Sequence, residues 1–177
     1  MGEANTVAIS DYGYGTVAQE AVDRLLRTSG RPRWICADSR YRISSLKGID
    51  GATPNLQELE RTAGRQLITD ADITEASETL RAQLDAKFLL ATRGNRGMTL
   101  VETDLEPVHI PVFGSDEVAD VTGAGDTVLA VLTAALAAGA EPATAARLAN
   151  IAAGLVVMKL GTATVSAAEL HTAVETI

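Results

Sequence analysis

Residues 120 to 139 constrain this chain most, because they join a glycine-rich turn, DVTGAGDT (120 to 127), to an apolar run, VLAVLTAALAAG (128 to 139), that has to be a buried helix. A polar loop, GSDEVA (114 to 119), leads into them. Such a turn presents the first peptide N–H groups of a helix without intrahelical partners, and the macrodipole leaves roughly half a positive charge there. It attracts anions. Gly123 and Gly125 lack a Cβ, so a phosphate oxygen can come close to the backbone, and either residue can take a positive φ if the turn demands one. Asp126 repels the same anion unless its task is to remove a proton. A base beside developing negative charge, with peptide donors to stabilise that charge, is what activating a hydroxyl against a phosphoryl group requires. An ordinary first-turn carboxylate stabilised by the helix dipole is the competing reading of Asp126.

A buried helix needs a layer to cover it, and the remaining chain supplies one. TVAIS (6 to 10) is an apolar strand opening onto DYGYG, and apolar residues at 17, 21, 22, 25 and 26 form a helical stripe that closes at Ser29-Gly30. RWICADS (33 to 39) is the next strand, and a shorter one ends at GATPN (51 to 55). Helices are expected at about 55 to 63 and 72 to 85, the second behind Asp70 or Asp72 as N-cap. KFLLATRG (87 to 94) is a strand breaking into a turn, while MTLVET (98 to 103) and PVHIPVF (107 to 113) pair around DLEP, with Val108, Ile110 and Val112 on one face. Two helices, about 125 to 138 and 142 to 159, part at Gly139 to Pro142, and a last one, 167 to 175, has Ser166 and Glu169 as a capping box. Alternating strands and helices predict an α/β fold with a mostly parallel sheet and helices on both faces. Ligands of such sheets sit at the carboxyl ends of the strands, a rule that collects DYG, ADSR, TPNLQE, TRGNRG and TGAGD on one rim. At 177 residues, with no repeat and no low-complexity linker, one domain is expected.

The net charge of −8 leaves no basic surplus for nucleic acid or an anionic membrane, so any phosphate site must be local. Cys36 is the single cysteine and lies in the apolar run WICA, which predicts a buried structural thiol in a reducing compartment. The longest apolar stretch, 128 to 140, is too short to span a bilayer, and MGEANTVAIS lacks the basic flank and apolar core of a signal peptide. Cytoplasmic residence is the expectation. His109 and His171 stand alone, without metal-ligand spacing.

The string DVTGAGD resembles the second signature, DTxGAGD, of the PfkB/ribokinase family of carbohydrate kinases, with Val121 where Thr is usual. The resemblance implies that Asp126 is the catalytic base and that Gly123, Ala124 and Gly125 form the anion hole. TPNLQELE (53 to 60) matches the NxxE motif at Asn55 to Glu58 and is most similar to the form found in heptose-phosphate kinases, implying that Glu58 holds a water of hydrated Mg²⁺. An Asn-capped helix with Glu58 in a capping box accounts for the same letters. TRGNRG (92 to 97) is similar to the nucleotide loop, which places Thr92, Arg93, Gly94 and Gly97 beside ATP; a surface hairpin with two solvated arginines would look alike. RLANIAAG (147 to 154) resembles the segment whose Asn, here Asn150, reaches the adenine side. A buried Asn needs a partner, and a nucleotide or a backbone carbonyl would serve. KLGTATVS (159 to 166) resembles the family's C-terminal loop, which with Asp120 and Thr122 would hold a monovalent cation such as K⁺; both residues could instead stabilise the turn. Two stretches depart from the family pattern: Tyr14 replaces Lys in DYxKG, and ADSR stands for DPK, with Arg40 keeping the charge.

The resemblance covers nearly all of these residues but only the C-terminal part of the family's chain. It implies a three-layer αβα ribokinase-like domain lacking the N-terminal part and the lid, whose GG-containing first signature would precede residue 1. The implied activity is ATP-dependent phosphorylation of a sugar or sugar-phosphate hydroxyl, heptose-phosphate kinase-like, with ATP and Mg²⁺ as cofactors. This chain would supply nucleotide site, anion hole and base, as a homodimer or with the missing N-terminal part as partner. A ribokinase or fructokinase type, and a nucleotide-binding or assembly module without chemistry, are the alternatives.

Overall fold

The computed structural model describes residues 4–114 and 120–176, so most of the loop at 114 to 119 lies outside the described residues. Six strands form one sheet in chain order: β1 (Thr6–Asp11), β2 (Trp34–Ser39), β3 (Gly51–Ala52), β4 (Phe88–Thr92), β5 (Met98–Glu102) and β6 (Val108–Ile110). β1 to β4 run parallel, and β5 and β6 add antiparallel strands at the far edge. The helices are α1 (Gln19–Arg27), α2 (Leu56–Ala63), α3 (Asp70–Leu84), α4 (Ala124–Ala137), α5 (Pro142–Val157) and α6 (Ala167–Glu175).

Side chains alternate across a strand, and the central strands are apolar on both faces, so the sheet must be covered twice. Ile35 and Ala37 of β2 and Leu89 and Ala91 of β4 pack with Val22, Leu59, Ile73, Leu80 and Leu84 from α1, α2 and α3. Trp34 and Cys36, with Phe88 and Leu90, point the other way, into Val128, Leu129, Leu132 and Leu136 of α4 and Ala145, Ala146 and Ala149 of α5. The three-layer αβα architecture follows. Parallel strands laid down in one direction with right-handed crossovers place α1 to α3 on a single face. The opposite face is left to α4 and α5, with α6 against α5. Within the second layer the Phe88 ring lies over Gly51, where a Cβ would fall 2.2 Å from Cζ, and meets Trp34 edge-on at 5.9 Å. The amino ends of the strands are tied by buried Asp50, which accepts from the Ile35 N–H and pairs with Arg31 and Lys87. Among the described residues no helix is long and apolar enough to cross a membrane.

Local chemistry places most boundaries. α3 is capped by Thr69, one residue before Asp70 and three before Asp72, the two expected caps; Asp72 is instead the reciprocal partner in a capping box. Ser166 and Glu169 form the box foreseen at α6. β6 stops at Ile110 because Pro111 has no N–H for the ladder, leaving Val112 outside the strand. Gly97 closes the β4–β5 hairpin at φ +76°, and a Cβ there would lie 2.0 Å from the Ile110 carbonyl oxygen. Gly97→Ala should therefore destabilise the protein by roughly 2 to 4 kcal/mol through strain and backbone overlap. Urea unfolding of the two proteins measures the difference, and a loss below about 1 kcal/mol would contradict that packing.

Candidate active site

The alternation that builds the core also builds the site. Trp34, Cys36 and Asp38 share one side of β2, the side α4 covers, and the register sets Ser10 of β1 beside Asp38. At the carboxyl ends of β1 and β2 the core stripe thus becomes polar, where α4 begins. An open cleft of about 160 Å³ lies there, lined by Ser10, Asp11, Tyr12, Asp38, Arg40, Glu58, Gly123, Gly125 and Asp126.

Gly123 is the N-cap of α4 at φ +83°, a conformation that favours glycine, and makes no side-chain cap bond. Gly125 is already helical. Its missing side chain has a different value, since a Cβ would approach Asp38 Oδ2 to 3.8 Å. The Ala124 N–H donates to the Val121 carbonyl at 3.2 Å, so that nitrogen is engaged within the turn, contrary to its expected freedom in the anion hole. Among the described residues, the N–H groups of Gly123, Gly125 and Asp126 make no backbone hydrogen bond. The Asp126 carboxylate lines the cleft and accepts from Ser10 Oγ at 3.2 Å on Oδ1 and from the Tyr12 hydroxyl at 2.5 Å on Oδ2.

Glu58 satisfies both sequence readings at once. Its Oε2 accepts from the Asn55 N–H at 2.9 Å and Asn55 Oδ1 accepts from the Glu58 N–H at 3.0 Å, a complete capping box, while the residue also lines the cleft. Burial pushes its carboxyl up. Asp38 is pushed further, to about 7, first by burial and then by the charges of Glu58 and Asp126. Its Oδ1 is buried without a partner. Asp11 takes the opposite course: burial acts to raise it, but the Gly13 N–H, Ser39 and Arg42 outweigh that and hold it low.

The other expected residues lie along the rim or behind it. Thr92 ends β4 and its N–H donates to Pro54 O, drawing the TRGNRG turn beside Asn55. The Arg93 guanidinium is buried and turned inward, bonded to Asp70 and to the Arg96 carbonyl at 2.7 Å, rather than presented to a ligand. Gly94 begins the following turn at φ +59°, and Gly97 serves the hairpin packing described above. Asn150 is buried in α5 and donates to the Pro111 carbonyl at 2.9 Å, the backbone alternative for its partner. Asp120 accepts from the Thr122 N–H at 2.8 Å, the turn-stabilising alternative, which keeps its carboxyl below the usual range. Tyr14 is 91% exposed and takes no part in the cleft. Ser10, Tyr12 and Asp38 were not singled out from the sequence; the even-numbered stripe Trp34, Cys36, Asp38 was the available signal.

The fold is that of the ribokinase-like αβα proteins. The chain aligns with ribokinase from Arabidopsis thaliana, complexed with ribose and ATP, at a TM-score of 0.83 and 22% identity, covering 97% of this chain and 56% of that one. Phosphofructokinase-2 from Escherichia coli, in complex with potassium, also gives 0.83, at 19% identity over 98% and 58%. Residues 20–169 match the pfkB family carbohydrate kinase model, and the chain belongs to that family. It is 46% identical to the bifunctional protein HldE of Chromohalobacter salexigens over 173 residues, which is 97% of this chain and 36% of that protein. The HldE of Photobacterium profundum is 42% identical over 174 residues, 96% and 35%. The chain thus spans about a third of the length of these relatives.

A carboxyl that keeps its proton to about pH 7 when folded, but only to about 4 when unfolded, makes the folded state take up protons. Its favourable contribution is full below the unfolded value and is lost as pH rises towards 7. Urea midpoints should show wild type losing stability on the order of 2 to 4 kcal/mol relative to Asp38→Asn between about pH 4 and 8. Parallel profiles would show that Asp38 titrates normally.

Proposed function

We propose that the protein bearing this chain transfers the γ-phosphoryl group of ATP to a hydroxyl of a sugar or sugar phosphate, with a heptose phosphate as the favoured acceptor. The carrying observation is Asp126: a carboxylate on the cleft wall, in the first turn of α4, beside peptide N–H groups without backbone partners. In this reading Asp126 takes the acceptor proton while the nitrogens of Gly123, Gly125 and Asp126 stabilise charge on the migrating phosphoryl group. Thr92, Gly94 and Gly97 border the nucleotide, and Arg93 and Asn150 act indirectly, by holding the nucleotide turn and the α5 flank in place. Arg40, on the cleft wall, supplies positive charge for phosphates. The similarity of TPNLQELE and KLGTATVS to the heptose-phosphate kinase forms of these motifs supports the choice of acceptor class.

The residues fit Mg²⁺. Asp38 Oδ1 is an unpartnered buried acceptor, and burial raises both the Asp38 carboxyl, which the Glu58 charge raises further, and that of Glu58. Among the described residues no group of three or more His, Cys, Asp or Glu is set to hold a metal ion; Mg²⁺ commonly takes one or two carboxylates and keeps several waters beside substrate phosphates. Glu58 and Asp38 would hold it, and it would supply charge neutralisation at the transferring phosphate. Asp120, below its usual range and beside Thr122, would serve K⁺; the phosphofructokinase-2 in complex with potassium supports this.

In the full-length protein, Asp126→Asn should leave ATP binding by calorimetry within a few-fold and cut turnover by about 10² to 10⁴. Turnover within about tenfold of wild type would remove Asp126 as the base. ATP binding with no turnover in the wild type on any sugar would favour the binding module.

A further inference from the structure

The Tyr12 phenol donates to the carboxylate of Asp126. Each oxygen of the Asp126 carboxylate accepts from one hydroxyl of the β1 terminus, Oδ1 from Ser10 and Oδ2 from Tyr12, across 116 and 114 residues of chain. Strand periodicity places residues 10 and 12 on the same side and Asp11 on the other, where its buried carboxylate accepts from Ser39 Oγ at 2.8 Å and the Gly13 N–H at 2.9 Å. That anchor holds the backbone on either side of Tyr12. Gly13 and Gly15 follow at φ +83° and +85°. The ring itself is not held by burial: Tyr12 is 49% exposed at the mouth of the cleft. Tyr14, two residues on, is 91% exposed and shows how a tyrosine of this loop lies without such a partner.

We propose that Tyr12 is the specificity-determining residue that keeps water off the base: its hydroxyl fills the hydrogen-bonding position on Asp126 Oδ2 until an acceptor alcohol displaces it, while Ser10 positions the carboxylate through Oδ1. The proposal rests on the kinase reading above. A phenol donates to a carboxylate as a sugar hydroxyl does, so in the resting site Oδ2 already has a donor at the position from which it would otherwise activate water. Asp126 also raises the phenol, by its hydrogen bond before its charge, with burial between, so that Tyr12 stays a donor and does not become a nucleophile. Asp38 acts in the same direction and Arg40 against it. When the acceptor enters, its O–H replaces the phenol at Oδ2 and its proton passes to Asp126. Its oxygen bonds to the γ-phosphorus, and the bond to the β–γ bridging oxygen breaks, leaving that electron pair on ADP. The phenol swings into solvent through side-chain rotation, without a change in the anchored backbone.

Tyr12→Phe keeps the ring and removes only the donor. In the full-length protein with ATP and Mg²⁺ and no sugar, the variant should hydrolyse ATP about tenfold or more faster than wild type. With heptose 7-phosphate added, its KM for that acceptor should fall several-fold while the KM for ATP stays unchanged. A merely structural tyrosine would move neither quantity in that direction. The phenol–carboxylate bond has its own readout: tyrosinate absorbance against pH should show one phenol titrating late in wild type, and that step returning to the ordinary range in Asp126→Asn. Unchanged sugar-free hydrolysis in Tyr12→Phe, or an unchanged titration in Asp126→Asn, overturns the proposal. If Asp126→Asn still abolishes turnover in that case, the kinase reading stands; if it does not, the base assignment fails independently.

Discussion

Helix α4 abuts the carboxyl ends of β1 and β2, and the site exists because of that contact. Its flank of Val128, Leu129, Leu132 and Leu136 is buried against Trp34, Cys36, Phe88 and Leu90. Burying each such side chain is worth roughly 1.5 to 3 kcal/mol, so sliding α4 by one turn, about 5.4 Å, would forfeit several kcal/mol. Packing therefore sets where Asp126 stands. A carboxylate carried on a loop would have no comparable restraint, and the hydroxyls of Ser10 and Tyr12 complete the restraint at the Asp126 carboxylate itself.

The cleft combines charges that conflict until its ligands are considered. Asp38, Glu58 and Asp126 converge on it, with Arg40 the cationic side chain among the lining residues. The consequence is visible in Asp38, which burial and its two carboxylate neighbours push up to about 7. A polyanionic nucleotide would be repelled by this wall on its own. In the proposed reading, peptide nitrogens without backbone partners at the start of α4 and a divalent cation against the carboxylates would together reverse the sign locally.

Much of this was legible in the residue string. Strand alternation, the capping boxes at Asn55 and Ser166, and the glycine turn before an apolar run are properties of a few consecutive residues, and they appear where the pattern places them. Glu58 shows why two readings of one motif need not compete: one carboxylate oxygen caps the helix and the residue still faces the cleft. Other positions carried too little local signal. Arg93 looked like a free cation in a turn, yet its guanidinium is buried against Asp70, which lies 23 residues earlier. Asn150 looked equally suited to a nucleotide or a carbonyl, and Pro111, 39 residues away, supplies the carbonyl. The cap of α3 is Thr69 and neither Asp70 nor Asp72, because Thr69 and Asp72 answer each other across the first turn, while Asp70 is merely the first helical residue.

By itself the sequence determined the αβα layering, the glycine at the cap of α4 and the presence of a carboxylate three residues beyond it, because period, capping and positive φ are enforced by neighbours in the chain. Only the tertiary structure decided that Ser10 and Tyr12 would close on that carboxylate, that the Ala124 nitrogen would be spent within its turn, and that Asp38 would hold its proton so long. Those outcomes depend on which strand ends meet which helix end and on how deeply water is excluded between them. Hydrogen bonds across more than a hundred residues, and desolvation above all, are set by the packed layers and leave no local mark on the letters.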